Sequence, residues 1–207
     1  MASLMLRLNL TLCVAGVVCL AQSPQALFEK GVADFRAGRV AESAVAFDRL
    51  IKVAPNAAAQ LWLRGISLYY AGRYADCKGQ FELHRTVNPD DVENATWHYL
   101  CVARGESPAK AKAALLPVGP DSRVPMTEVY ALYRGDSTPA KVIAAGGSGQ
   151  ESAAAFFANL YVGLWYEGQG QGALAKKHLM VAAEPRFAQA GGYMHDVAKV
   201  HVQLLSK

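Results

Sequence analysis

Charge is scarce in this 207-residue chain. Asp, Glu, Lys and Arg make up 18% of it, against roughly 25% in an average soluble domain. With 52% hydrophobic residues beside that figure, a disordered polyampholyte is excluded. The formal net charge is +4, yet the positives are scattered and nowhere form a run of Lys or Arg. A phosphate-tracking stripe is therefore missing, which excludes a dedicated nucleic-acid binder. Four cysteines are too few to build a disulfide-framed miniprotein.

Catalytic signatures are missing too. No His-Glu-x-x-His, Cys-x-x-Cys or Gly-x-Ser-x-Gly occurs. Gly146-Gly147-Ser148-Gly149 lacks the Lys and Ser/Thr that complete a phosphate loop, and reads as a flexible turn. Of the five histidines, His195 and His201 are six residues apart. Six residues are about 600° of helical rotation, so the two rings fall on different faces and make a poor metal pair. His84, His98 and His178 read as structural or surface residues. Asp90-Asp91 and Glu93 follow Pro89, where helix capping and dipole complementarity explain carboxylates better than an acid–base pair does. Asn94-Ala95-Thr96 is a glycosylation sequon, meaningful only in a eukaryotic secretory route. The expectation is no catalytic residue, no cofactor and no metal.

What the chain does have begins with a leader. Arg7 is the only charged side chain before Glu29, and Leu8 to Leu20 is a continuous weakly polar-to-apolar run. That is the length of a signal-peptide core and short of the roughly 20 residues a spanning helix needs. Small residues at Cys19 and Ala21 predict cleavage before Gln22, so that residues 1–21 are a cleavable signal peptide. Neither Cys13 nor Cys19 follows a small residue, which argues against a lipid anchor. A secreted or periplasmic protein is expected, with no stable membrane anchor. Cleavage removes two cysteines and leaves Cys77 and Cys101. Both read as small core hydrophobes, although an oxidising compartment would permit them to pair.

The strongest signal is an internal repeat. Leu27 and Leu61, Gly31 and Gly65, Gly38 and Gly72, Arg39 and Arg73, Phe47 and Phe81, and Pro55 and Pro89 are all 34 residues apart. Each unit reads as two short amphipathic helices: Leu27 to Arg36, a break at Gly38, then Val40 to Val53 stopped by Pro55. A pair this small cannot bury its apolar faces alone, so stacking on the next pair is implied. The pattern returns in Gly163, Tyr166, Gly170, Ala175, Leu179 and Ala182. The expected architecture is an all-α solenoid over 22–207. It comprises units near 24–57 and 58–91, degenerate pairs at 92–118 and 125–146, a regular pair at 153–189, and a closing helix at 191–206.

These residues resemble the tetratricopeptide repeat family. Gly38 and Gly72 take its inter-helix turn, Phe47 and Phe81 its second-helix aromatic, and Pro55 and Pro89 its closing proline. Ser43 and Cys77 stand where that family usually has Ala. Leu61-Trp62-Leu63-Arg64-Gly65, Leu68-Tyr69-Tyr70, Asn88-Pro89-Asp90-Asp91, Trp97 and Leu100 are similar to the NlpI-type repeat lipoproteins of bacterial envelopes. Arg123 to Leu132 and Tyr193 to His201 also resemble a set of plant and algal repeat proteins. The resemblance implies an adaptor that brings protein or peptide partners together. For the NlpI-type proteins these partners are cell-wall hydrolases and an envelope protease.

The family lines its concave groove with first-helix positions. Carried over, these give Phe28, Phe35, Arg36, Trp62, Ile66, Tyr69 and Tyr70 as a protein-binding groove, aromatic and apolar with Arg36 at one edge. Phe28 and Val32 replace the Lys and Asn with which some members hold a peptide carboxylate. The competing reading packs Trp62, Tyr69, Tyr70, Trp97 and Trp165 between helices. An exposed aromatic cluster would also suit a homodimer surface. A structural homo-oligomer, and a small hydrolase or metal-dependent enzyme on a helical scaffold, are the alternative functions.

Overall fold

A computed structural model describes residues 23–147 and 152–205. The leader and its cleavage point before Gln22 lie outside the described residues, as do Ser148 and Gly149 of the glycine-rich turn and residue 206 of the closing helix. Among the described residues there is no strand. The chain is an all-α solenoid of stacked antiparallel helix pairs.

The pairs are α1 (Pro24–Arg36) with α2 (Val40–Val53), α3 (Trp62–Tyr70) with α4 (Tyr74–Arg85), and α5 (Val92–Gly105) with α6 (Pro108–Ala113). They continue as α7 (Met126–Arg134) with α8 (Pro139–Gly146) and α9 (Ala153–Gly168) with α10 (Gly172–Ala182), before a last helix, α11 (Ala188–Leu204). Helix starts follow from local chemistry. Ser23, Ser107, Thr138 and Ser152 each cap an N-terminus by accepting a backbone N–H three residues on. Pro24, Pro108 and Pro139 then occupy first-turn positions where a missing N–H costs nothing. Asp91 caps α5 by accepting from the Glu93 N–H, the role its place after Pro89 suggests.

The same turn joins three of the pairs. Gly38, Gly72 and Gly170 all sit at φ +73°. Each donates to the carbonyl three residues back, while the following residue reaches back five: Arg39 to Asp34, Arg73 to Leu68, Gln171 to Tyr166, at 2.8–2.9 Å. Crossing geometry repeats as well. A Cβ on Gly31 would lie 2.7 Å from the Phe47 ring, on Gly65 2.6 Å from the Phe81 ring, and on Gly163 2.7 Å from Leu179. In all three pairs the missing side chain lets the second helix lay a large residue against the first helix's backbone.

Small residues at the crossing carry a second repeated contact. Ser43 is fully buried and its Oγ donates to the Gly31 carbonyl at 2.7 Å, with Ser67 Oγ 2.9 Å away. Thirty-four residues on, Cys77 and Cys101 occupy the positions of Ser43 and Ser67, and they are joined by a disulfide with Cα atoms 5.8 Å apart. This corrects the reading of both as separate core hydrophobes. The helix crossing that sets the serines in contact sets two thiols within bridging distance.

First helices form the inner row: α5 touches α3, α7 and α9, and α7 touches α9. As a result α5 is buried from Val92 through Ala103 apart from Glu93, and α9 has a buried run from Leu160 to Leu164. Helices apolar on every side belong inside a stack. Two Arg–Asp links tie the first units together. Arg64 and Arg73 both grip Asp48, across α2, α3 and α4. Burial works to raise Asp48's pKa, but the hydrogen bonds from Arg73 and Arg64 hold it below the ordinary carboxylate value.

Candidate functional site

The register directs the aromatic residues of α1 and α3 to the inner face, and that face is covered. The expectation of a groove open to a partner is corrected by α11, which packs on α9 and α10 and reaches α1. Two features bring it there. A 3₁₀ turn at Pro185–Phe187 redirects the chain after α10. Gly192 then breaks helical geometry at φ 50°, ψ −130°, a conformation available to Gly and strained for other residues. Beyond this kink, Tyr193 stacks on Phe35 at 5.7 Å and meets Trp62 edge-on at 5.6 Å. The physical driving force is apolar burial: α11 covers the aromatic inner face that α1 and α3 present.

Each residue expected to line the groove has a definite place. Phe35 and Ile66 are fully buried. Tyr69 is buried in a ring cluster with Tyr70, Tyr74 and Trp97. Tyr70 shares a 2.9 Å hydrogen bond with His201 Nδ1 of α11. Arg36 is exposed and pairs with Asp196 of α11 at 2.7 Å, its guanidinium over the Tyr193 ring. Phe28 is half-buried, edge-on to Phe47. Of the seven, Trp62 lines a cleft that remains open beside α11.

That opening is a cleft of about 480 Å³ between the 3₁₀ turn Pro55–Gln60, α4, the start of α5, and α11. Its aromatic walls are Trp62, Phe81, Trp97 and Tyr193, and Val87 and Asn88 stand near it. His84 is held by its Nδ1 on the Ala59 carbonyl at 2.8 Å. That contact fixes the proton on Nδ1. Asp91 and Glu93 line one side.

Electrostatically, this side is crowded with acid. Arg123 binds Asp91, Glu93 and Asp121 together. Three carboxylates thus converge on a single guanidinium. Glu93 also accepts a hydrogen bond from Tyr161. Burial raises the Glu93 pKa, and the Tyr161 and Arg123 hydrogen bonds only partly oppose it. For Asp121 burial also pushes upward, but Arg123 wins and the pKa falls below its ordinary value. Arg123 in turn is stabilised as the cation, chiefly by the Asp121 hydrogen bond.

Three buried polar atoms of cleft-lining residues have no hydrogen-bond partner: Asn94 Oδ1, Trp97 Nε1 and Tyr193 Oη. A buried polar group left unmatched costs about 1–3 kcal/mol. Tyr69 Oη and His98 Nδ1 are likewise unmatched elsewhere in the core, but at this opening three such atoms belong to residues lining one cleft. Asn94 Nδ2 donates to the Phe81 carbonyl and the residue is 3% exposed. The folded chain therefore has no surface amide at this sequon for a glycan. Sequence reasoning missed this site because its parts come from three segments that local periodicity does not relate. Trp97 and Asn94 were legible only as apolar-face and sequon residues.

No protein-family model matches the chain, and no curated protein matches it. The fold and the site together define an α-solenoid whose inner face is filled by its own last helix, with one aromatic, acid-edged cleft beside that helix.

Proposed function

We propose that this chain is a non-enzymatic binding protein of the tetratricopeptide-repeat type that holds an extended peptide segment of a partner protein in the cleft beside α11. The observation that carries this reading is the cleft itself: four aromatic walls around unpartnered Asn94 Oδ1, Trp97 Nε1 and Tyr193 Oη. An extended peptide offers both an N–H and a C=O at each residue, which is what this mixture of acceptor and donors lacks. The seven inner-face residues then serve the reading unequally. Trp62 touches the ligand, while Phe35 and Tyr70 seat α11 through Tyr193 and His201.

For the compartment, the leader expected from the sequence and the Cys77–Cys101 bridge support an oxidising space such as a periplasm or secretory route. The family resemblance makes an envelope protease or cell-wall hydrolase the expected partner, with this chain as the adaptor. Photo-crosslinking from single positions tests it. A photoreactive residue replacing Val87, near the cleft and 43% exposed, should cross-link a partner in envelope extract. The same residue replacing Met180, 51% exposed on α10, should not. Equal yields at both positions would contradict a cleft-directed adaptor, and a product of twice the chain's own mass from position 87 would replace it with a homo-oligomer.

A further inference from the structure

The cleft selects for charge as well as shape. Around it, Asp91 and Glu93 supply carboxylates, and Asp121 stands behind them on the same guanidinium. Among the described residues Arg123 is the only cation bonded to this trio, which leaves an excess of two negative charges when all three acids are ionised. Asn94 Oδ1 adds an unpartnered acceptor. The walls opposite are the π-faces and edges of Trp62, Phe81, Trp97 and Tyr193. Acid at one end and aromatic walls along the stem are the two things a cationic side chain needs.

We propose that the cleft is a specificity pocket for a lysine or arginine side chain within the extended peptide that the solenoid holds. The stem lies along Trp62 and Tyr193, the partly exposed aromatic walls, and the cationic head donates to Asn94 Oδ1 and to the free lone pairs of Asp91 and Glu93. The adjoining peptide carbonyl accepts from Trp97 Nε1. The specificity assignment rests on the peptide-binding reading above but is separable from it, because charge and peptide capture can be varied independently.

The test uses the full chain and three acetylated, amidated peptides, Leu-Lys-Leu, Leu-norleucine-Leu and Leu-Glu-Leu, titrated by calorimetry and by tryptophan fluorescence. The lysine peptide should bind at least tenfold tighter than norleucine, and the glutamate peptide should bind most weakly. Asp91→Asn removes one charge and keeps an N-capping side chain, so the fold is retained while the lysine preference drops several-fold. Glu93→Gln should do the same, with circular dichroism confirming helicity for both. Affinity for lysine should also fall with pH as Glu93 takes up its proton, since burial raises its pKa above the ordinary value while Arg123 holds Asp121 below its own, with Asp91, His84, Tyr161 and Arg123 as the other facing groups. Norleucine binding as tightly as lysine would overturn the cationic pocket and leave the peptide cleft standing. Binding by none of the three to the folded chain would overturn the pocket, and the Val87 cross-link would then decide the adaptor reading separately.

Discussion

Replacing Cys77 and Cys101 together by Ser tests the internal repeat at its most specific point. The bridge closes a segment of 24 residues. Cross-linking a loop of that length stabilises by about 3.5 kcal/mol in the chain-entropy account. The substituted serines would not be idle. One unit earlier, Ser43 donates to the Gly31 carbonyl, Ser67 donates to the Leu63 carbonyl at 3.0 Å, and the two hydroxyls meet at 2.9 Å. The equivalent carbonyls one unit on are those of Gly65 and Trp97. A hydroxyl pair made there recovers about 1 kcal/mol. The double variant should therefore lose about 2.5 kcal/mol, or about 5–10 °C in Tm for a chain of this size. Thermal melts followed at 222 nm, with and without reductant, measure it. Wild type should drop on reduction by more than the double variant differs from oxidised wild type, and the variant should ignore reductant. A reductant-insensitive wild type would refute the bridge. A double variant less stable than reduced wild type would refute the equivalence of the two crossings.

Four further outcomes follow from packing and charge. Gly65→Ala should destabilise by about 1–3 kcal/mol in chemical denaturation, because its Cβ would sit 2.6 Å from the Phe81 ring. Gly79→Ala, within α4 with nothing inside 4 Å, should stabilise by about 0.5–1 kcal/mol. Tyr193→Ala should cost about 3 kcal/mol and expose dye-binding apolar surface, since it removes the ring between Phe35 and Trp62. Stability should decline as pH falls from 7 to 5. Burial lowers the pKa of His98 and His201, so the unfolded chain takes up protons near pH 6.5 that the folded chain takes up only at lower pH. Asp34 and Asp48, held below their ordinary values by Lys30 with Arg39 and by Arg73 with Arg64, extend the decline below pH 4. A pH-stability curve flat from 7 to 5 would contradict buried, neutral histidines.

How much of this was legible beforehand depends on sequence distance. The helix pairs were readable because caps, turn glycines and the 34-residue offset are local or periodic. Even the disulfide left a trace: Cys77 and Cys101 have the same separation as Ser43 and Ser67, but a separation gains meaning only once the crossing geometry is known. The seat of α11 left none. An apolar stripe on a helix says that it will be covered, not by what. The contacts that decide it, Arg36 with Asp196 and Tyr70 with His201, span 160 and 131 residues. The inner-face aromatics were therefore placed on the right surface without the helix that occupies it. The cleft was invisible for the same reason, since Asn94, Trp97 and Tyr193 meet only when α11 folds back.

Hydrogen–deuterium exchange on the full chain, free and with the lysine peptide, tests the central claim most directly. In the free protein, amides from Met194 to His201 should exchange as slowly as those of Ala95 to Ala103 in α5, because both segments are held against the inner row. The peptide should add protection around Gln60 to Trp62, at Phe81 to Trp97 and at Gly191 to Met194, leaving α2 unchanged. Fast exchange throughout α11 in an otherwise protected protein, or peptide protection spread over α1 and the inner face of α3, would mean that the groove is open and the account is wrong.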